Sequence, residues 1–185
     1  MAHQAETEQR WGLPFAGALV VGALTSLALG FYGREHEPTF ESVMTLGFPT
    51  QIEMKVWLAS TCGVLALVQL VTALRIYGKF GSGQASRRVR LTHRTSGVLA
   101  VVVSLPVVYH CLWSLGFQTY STRVFSHALL GCAFYGAFVT KMLVLRIKGE
   151  PGWLLPVVGG ATFAILIGVV STSAAWWVAT GQVAY

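Results

Sequence analysis

The chain is 185 residues long, 54% hydrophobic and only 11% charged, with a mean hydropathy of +0.61. Soluble globular domains carry about 25% charged residues, so that class is excluded. The net charge of +6 is gathered into particular connections, which is no footprint of nucleic acid.

Five segments approach or exceed the roughly 20 apolar residues that cross a bilayer: Leu13–Tyr32, Val56–Tyr77, Thr95–Leu115, Val124–Leu145 and Leu154–Val178. Lipid offers no hydrogen-bond partners, so such spans are helices or a closed barrel, and unbroken apolarity rules out the alternation of a barrel. The expected fold is an all-α polytopic membrane protein. It is read as one domain over residues 1–185, with a four-helix core and one peripheral helix.

The first segment follows the polar run Ala5-Glu6-Thr7-Glu8-Gln9 and lacks a basic leader. It reads as a retained helix rather than a cleaved signal. The connection from Gly33 to Lys55 contains Pro38, Gly47 and Pro49, and its Thr39–Leu46 stretch reads as a short interfacial helix capped by Thr39. After the second segment, Gly78–Ser86 is rich in Gly and Ser and reads as flexible. The basic run behind it suits anionic headgroups.

Charge then orients the chain. Arg75, Lys79, Arg87, Arg88, Arg90 and Arg94 lie on one side with no acid among them, and Arg146 and Lys148 join them after the fourth segment, opposed by Glu150. On the other side Arg34 and Lys55 are diluted by Glu35, Glu37, Glu41 and Glu53, followed only by Arg123. Because Lys and Arg collect on the cytoplasmic face, the N-terminus is expected inside and the C-terminus outside. Cys62, Cys111 and Cys132 fall in three different segments without C-x-x-C spacing and read as packing residues. Most helix glycines, Gly22 and Gly136 among them, read as sites of close helix approach.

The third and fourth segments carry His110 and His127, joined by Gly116–Arg123, a connection that allows only an antiparallel return. With helix ends near Leu115 and Thr122, each histidine is about five residues inside its helix, roughly 7–8 Å below one surface. Ionisable side chains within lipid mark function, and two imidazoles at one depth are what axial ligation of a haem iron needs. Arg123 precedes His127 by one helical turn and would meet a haem propionate. Gly131, one turn deeper, would leave a bare surface for a flat macrocycle. Trp113, Phe117, Tyr120 and Phe134 offer aromatic walls, although interfacial aromatics need no cofactor. A polar helix–helix contact, or a proton or quinone role, remains open for the same pair.

His3 and His36 lie in polar segments and read as solvated. His93, at the inner end of the third segment, is the one candidate ligand for a second haem. It lies 17 positions before His110, about 100° away around an ideal helix unless Pro106 alters the phase. On the fourth segment only Lys141 and Met142 reach its depth, and Lys141 reads as snorkelling to the inner interface. One haem is therefore expected, with His93 an interfacial polar residue or a partner for headgroups or a quinone. The chain contains no Asp, and no acid lies within the spanning segments, so a carboxylate-driven transporter lacks its parts. No phosphate-cradling loop, nucleophile elbow or H-E-x-x-H motif is present.

The arrangement resembles the small membrane b-type cytochromes, the cytochrome b-561-like and ferric-reductase-like bundles. Thr92-His93-Arg94-Thr95-Ser96-Gly97, Tyr109-His110-Cys111 and Ser126-His127-Ala128 also look like an uncharacterised family of actinobacterial membrane proteins, sometimes found alongside Rieske iron–sulphur proteins. The likeness covers chiefly Leu91–Arg146, with support from Met54-Lys55-Val56-Trp57-Leu58. It implies haem b and one-electron transfer within a respiratory complex of the bacterial cell membrane. Quinone is implied on one side of the reaction, and a Rieske protein or cytochrome c on the other. Two-haem relatives carry two histidine pairs, whereas only one membrane pair is complete here. Exchange between a quinol and an outer-face partner fits that better than transfer across the bilayer. The alternative from another class is a haem-free anchor or assembly subunit, which would still assemble after His110→Ala or His127→Ala.

Overall fold

The computed structural model describes residues 2–42, 44–79, 81 and 83–181, with side chains from Trp11 onward. The side chain of His3 lies outside that set. The described residues form α1 (Ala2–Glu35), α2 (Gln51–Ile76), α3 (Arg87–Tyr109), a π-helical turn (His110–Leu115), α4 (Thr122–Val144), α5 (Leu154–Thr172) and α6 (Ala174–Thr180). No strand occurs among them. Five helical spans are long and apolar enough to cross a membrane, the π turn extending α3 and α6 extending α5. Large apolar side chains point away from the protein along every span, Leu27 at 67%, Trp57 at 62% and Val98 at 63% exposure among them. Surfaces of that kind are stable against lipid, not water, and the protein is a multi-pass membrane protein.

Polar caps decide where the helices begin, and hydropathy does not register them. Thr50 Oγ1 accepts from the Glu53 N–H (3.1 Å), starting α2 at Gln51 rather than Val56. Ser86 Oγ accepts from the Val89 N–H (3.3 Å), starting α3 at Arg87 rather than Thr95. The basic run Arg87–Arg94 is thus the first two turns of a spanning helix. Ser121 Oγ accepts from the Val124 N–H (3.3 Å) and starts α4 at Thr122.

Both long connections depart from their expected form. Thr39–Leu46 contains no helix in its described residues. Its backbone donors are taken by distant groups: Phe40 N–H by the Ser114 carbonyl (2.9 Å) and Met44 N–H by His110 Nε2 (3.4 Å). Thr39 Oγ1 accepts from the Glu41 N–H (3.4 Å), closing a local turn instead of capping a helix. Phe40 and Leu46 sit at φ of 54° and 51°, a left-handed conformation that costs a bulky residue about 1–3 kcal/mol. The Gly/Ser-rich connection after α2 reads as flexible by composition, yet Arg75 Nη1 donates to the Gly83 carbonyl (3.0 Å) and Arg90 Nη1 to the Ala85 carbonyl (2.8 Å). Its described residues form a turn tied by two arginines.

The chain divides into two compact units. One comprises Met1–Glu35 and Phe117–Leu166. Here α1 packs on α4 with their backbones in contact: a Cβ on Gly22 would come within 2.6 Å of the Gly136 carbonyl oxygen, and a Cβ on Gly136 would strike the Gly22 carbonyl and Ser26 Oγ. Without interhelical hydrophobic drive in lipid, such close approach supplies the attraction. Thr140 Oγ1 donates to the Ala18 carbonyl (3.3 Å) beside it. Ala18, Val144, Leu154 and Val158 form the core where α5 joins. The other unit comprises His36–Gly116 and Ile167–Tyr185. In it α2 packs on α3, with α6 against α2. The buried Cys62 thiol donates to the Ala100 carbonyl (3.4 Å), a packing role as expected.

Candidate functional site

His110 opens the π turn and is completely buried, at 0% exposure. It lies four residues after Pro106, whose carbonyl accepts from the ring at 2.8 Å through Nδ1. A carbonyl only accepts, so Nδ1 carries the proton and Nε2 carries the lone pair. Orientation of an imidazole by an Nδ1–H bond to a backbone carbonyl is the usual support behind a metal-ligating Nε2. That lone pair receives the Met44 N–H at 3.4 Å, at the long limit of hydrogen bonding.

The described residues of 36–46 form a strap over this imidazole. His36 stacks obliquely on Trp113 (ring centroids 4.6 Å apart), so it is half-buried rather than solvated. Trp113 stacks in turn on Tyr109 (6.2 Å), whose ring meets His110 edge-on (5.4 Å). Ser114, one turn beyond His110, is also 0% exposed, and its Oγ has no hydrogen-bond partner among the described residues. Of the expected aromatic walls, Trp113 belongs to this group. Phe117 meets Phe125 edge-on (6.1 Å), Phe134 meets Tyr135 (5.2 Å), and Tyr120 is 53% exposed.

His127 lies five residues into α4, half-buried, with Arg123 half-buried one turn before it. Gly131 follows one turn after, and a Cβ there would meet nothing within 4 Å. The contrast with Gly22 and Gly136 separates two uses of glycine in one unit: two are pressed between helices, and Gly131 borders open space.

His93 belongs to a polar ladder between α2 and α3. Its Nδ1 is 2.8 Å from Thr72 Oγ1, whose own proton goes to the Val68 carbonyl (2.6 Å). The hydroxyl therefore accepts from Nδ1–H, and the Nε2 of His93 also carries the lone pair. Gln69 Nε2 donates to the His93 carbonyl and to Ser96 Oγ (2.7 Å), while its Oε1 lies against Gly97. Lys141 is half-buried on α4.

Sequence reasoning missed Pro106 as the orienting acceptor, Ser114, and the whole strap with His36, Phe40 and Met44. The Pro106–His110 spacing of one turn was the available signal. Nothing local marks the strap, because the bonds that hold it to the helix run to residues more than 60 positions away.

Among the described residues no three His, Cys, Asp or Glu side chains cluster to hold a bare metal ion. A bis-histidine haem needs only two protein ligands, and the donor chemistry of His110 fits one of them. No curated protein and no solved structure matches this chain. One family model, described as a family of unknown function, DUF6529, matches residues 9–185, and the chain belongs to that family.

Proposed function

We propose that this protein is a membrane b-type cytochrome, with His110 and His127 as axial ligands of one haem b. The observation that carries the reading is the His110 imidazole: fully buried, its Nδ1–H committed to the Pro106 carbonyl, its Nε2 lone pair covered only by a long bond from a strained strap. His127 enters as second ligand from its matching position in the sequence. When bound, haem b supplies a one-electron couple.

The chain's own residues do the rest. His110 and His127 would hold the iron, Arg123 would offset a propionate charge, and Gly131 would leave room beside the ring. To hold the iron, Nε2 of His110 would have to give up the Met44 N–H bond. His93, whose Nδ1 lies on Thr72 Oγ1, would be an interfacial partner for headgroups or a quinone. By the distribution of Lys and Arg, the N-terminus is cytoplasmic and the haem lies near the outer face. A Rieske protein or cytochrome c there would exchange electrons with it, within a respiratory complex of the cell membrane.

The test is a dithionite-reduced minus air-oxidised spectrum of the protein purified in mild detergent, with pyridine haemochrome stoichiometry. A b-type α-band at one haem per chain, lost in both His110→Ala and His127→Ala, is expected. A wild-type protein without haem, expressed with ample haem supply, sinks the proposal.

One observation favours a second reading, a haem-free membrane anchor or assembly subunit. The His110 Nε2 already accepts from Met44, so the imidazole serves equally as a staple between strap and helix. On that reading His110→Ala exposes the strap to protease while the wild type never takes up haem.

A further inference from the structure

The C-terminal end of α4 carries a second feature, wholly within one unit and independent of the histidines. A groove of about 520 Å³ runs between α1 and the connection that follows α4. Pro14, Gly17 and Val21 line its α1 side, and Leu143, Arg146 and Lys148 line the other. Gly17 keeps it open, since a Cβ there would meet nothing within 4 Å. Arg146 and Lys148 are exposed, and among the described residues neither forms an ion pair, although Glu150 follows closely in the chain.

The depth of the groove is set by aromatic rings. Trp11 packs on Phe15 (6.0 Å) and edge-on against Trp153 (6.1 Å), and Trp153 is 55% exposed. Trp residues collect where headgroups meet hydrocarbon. The two cations therefore sit at headgroup level. From Pro14 to Val21, seven residues further along the helix, the wall descends about 10 Å into hydrocarbon. An apolar slot with a cationic mouth at this level complements one kind of molecule. The guanidinium of Arg146 offers a fork to phosphate oxygens, and Lys148 adds a point charge.

We propose that this groove is a binding site for an anionic phospholipid of the leaflet at the C-terminal end of α4, with its phosphate at Arg146 and Lys148 and one acyl chain along Pro14, Gly17 and Val21. The lipid would tie α1 to the connection that follows α4. It differs from a general attraction to the basic run of α3, because it has a shaped apolar part.

Native mass spectrometry from detergent supplemented with equimolar phosphatidylglycerol and phosphatidylcholine tests this. Wild type is expected to retain one phosphatidylglycerol with a preference of roughly tenfold or more, since each nearby cation contributes appreciably to anionic-lipid affinity. Arg146→Gln with Lys148→Gln is expected to abolish the preference. Gly17→Leu, placed in open space, is expected to abolish retention with an unchanged circular-dichroism melt. Arg87→Gln with Arg88→Gln is expected to behave as wild type. Equal retention of both lipids by wild type overturns the proposal. So does a preference that survives the Arg146/Lys148 change or disappears in the Arg87/Arg88 variant. Displacement by millimolar glycerol 3-phosphate also overturns it, by showing an anion site without an acyl chain.

Discussion

Gly136→Ala is the sharpest probe of the fold. The added methyl points at the Gly22 carbonyl and Ser26 Oγ, both closer than a real Cβ tolerates. Relief requires α1 and α4 to separate, which lengthens the Thr140–Ala18 hydrogen bond and loosens the Ala18–Val144 core. Overpacking costs about 1–3 kcal/mol, and a weakened interhelical hydrogen bond in a membrane about 0.6 kcal/mol. Alanine returns up to about 1 kcal/mol through helix propensity. The net expectation is a loss of about 1–3 kcal/mol. Gly131→Ala meets nothing within 4 Å and receives only the propensity gain. Reversible unfolding in mixed micelles with increasing dodecyl sulphate measures both. The two variants should move in opposite directions, Gly136→Ala less stable than wild type and Gly131→Ala equal to it or slightly more stable. If Gly136→Ala is as stable as wild type, or both shift together, the backbone contact between α1 and α4 is refuted.

Two further outcomes follow from the hydrogen bonding. Gln69→Leu removes a donor shared by the His93 carbonyl and Ser96 Oγ, and should cost about 0.6–1.7 kcal/mol in the same unfolding assay; no measurable change would show that the α2–α3 ladder carries no stability. In the haem-free protein at alkaline pH, nitrogen-15 NMR of labelled histidines should report His110 and His93 as Nδ1–H tautomers. An Nε2–H signal for His110 would mean that Pro106 does not orient the ring, and would remove the main support for iron ligation.

Much of this protein is legible in one dimension. The spanning helices follow from transfer of apolar side chains into lipid, a property summed along the chain and indifferent to partners. The cap residues Thr50, Ser86 and Ser121 are equally local, each bonding within three residues, and could have corrected the helix starts. The position of His110 and His127 about five residues inside their helices also rests on counting alone. The use made of each residue did not. Gly17 and Gly22 lie on one helix and read alike, and only the approach of α1 to α4 makes Gly22 a contact and leaves Gly17 beside open space. Thr39–Leu46 has helical composition, but its N–H groups find the Ser114 carbonyl and His110 Nε2, acceptors that exist only once a distant helix has widened into a π turn. Hydrophobicity belongs to a residue and can be read in order, whereas a hydrogen bond belongs to a pair, and the fold chooses the partner.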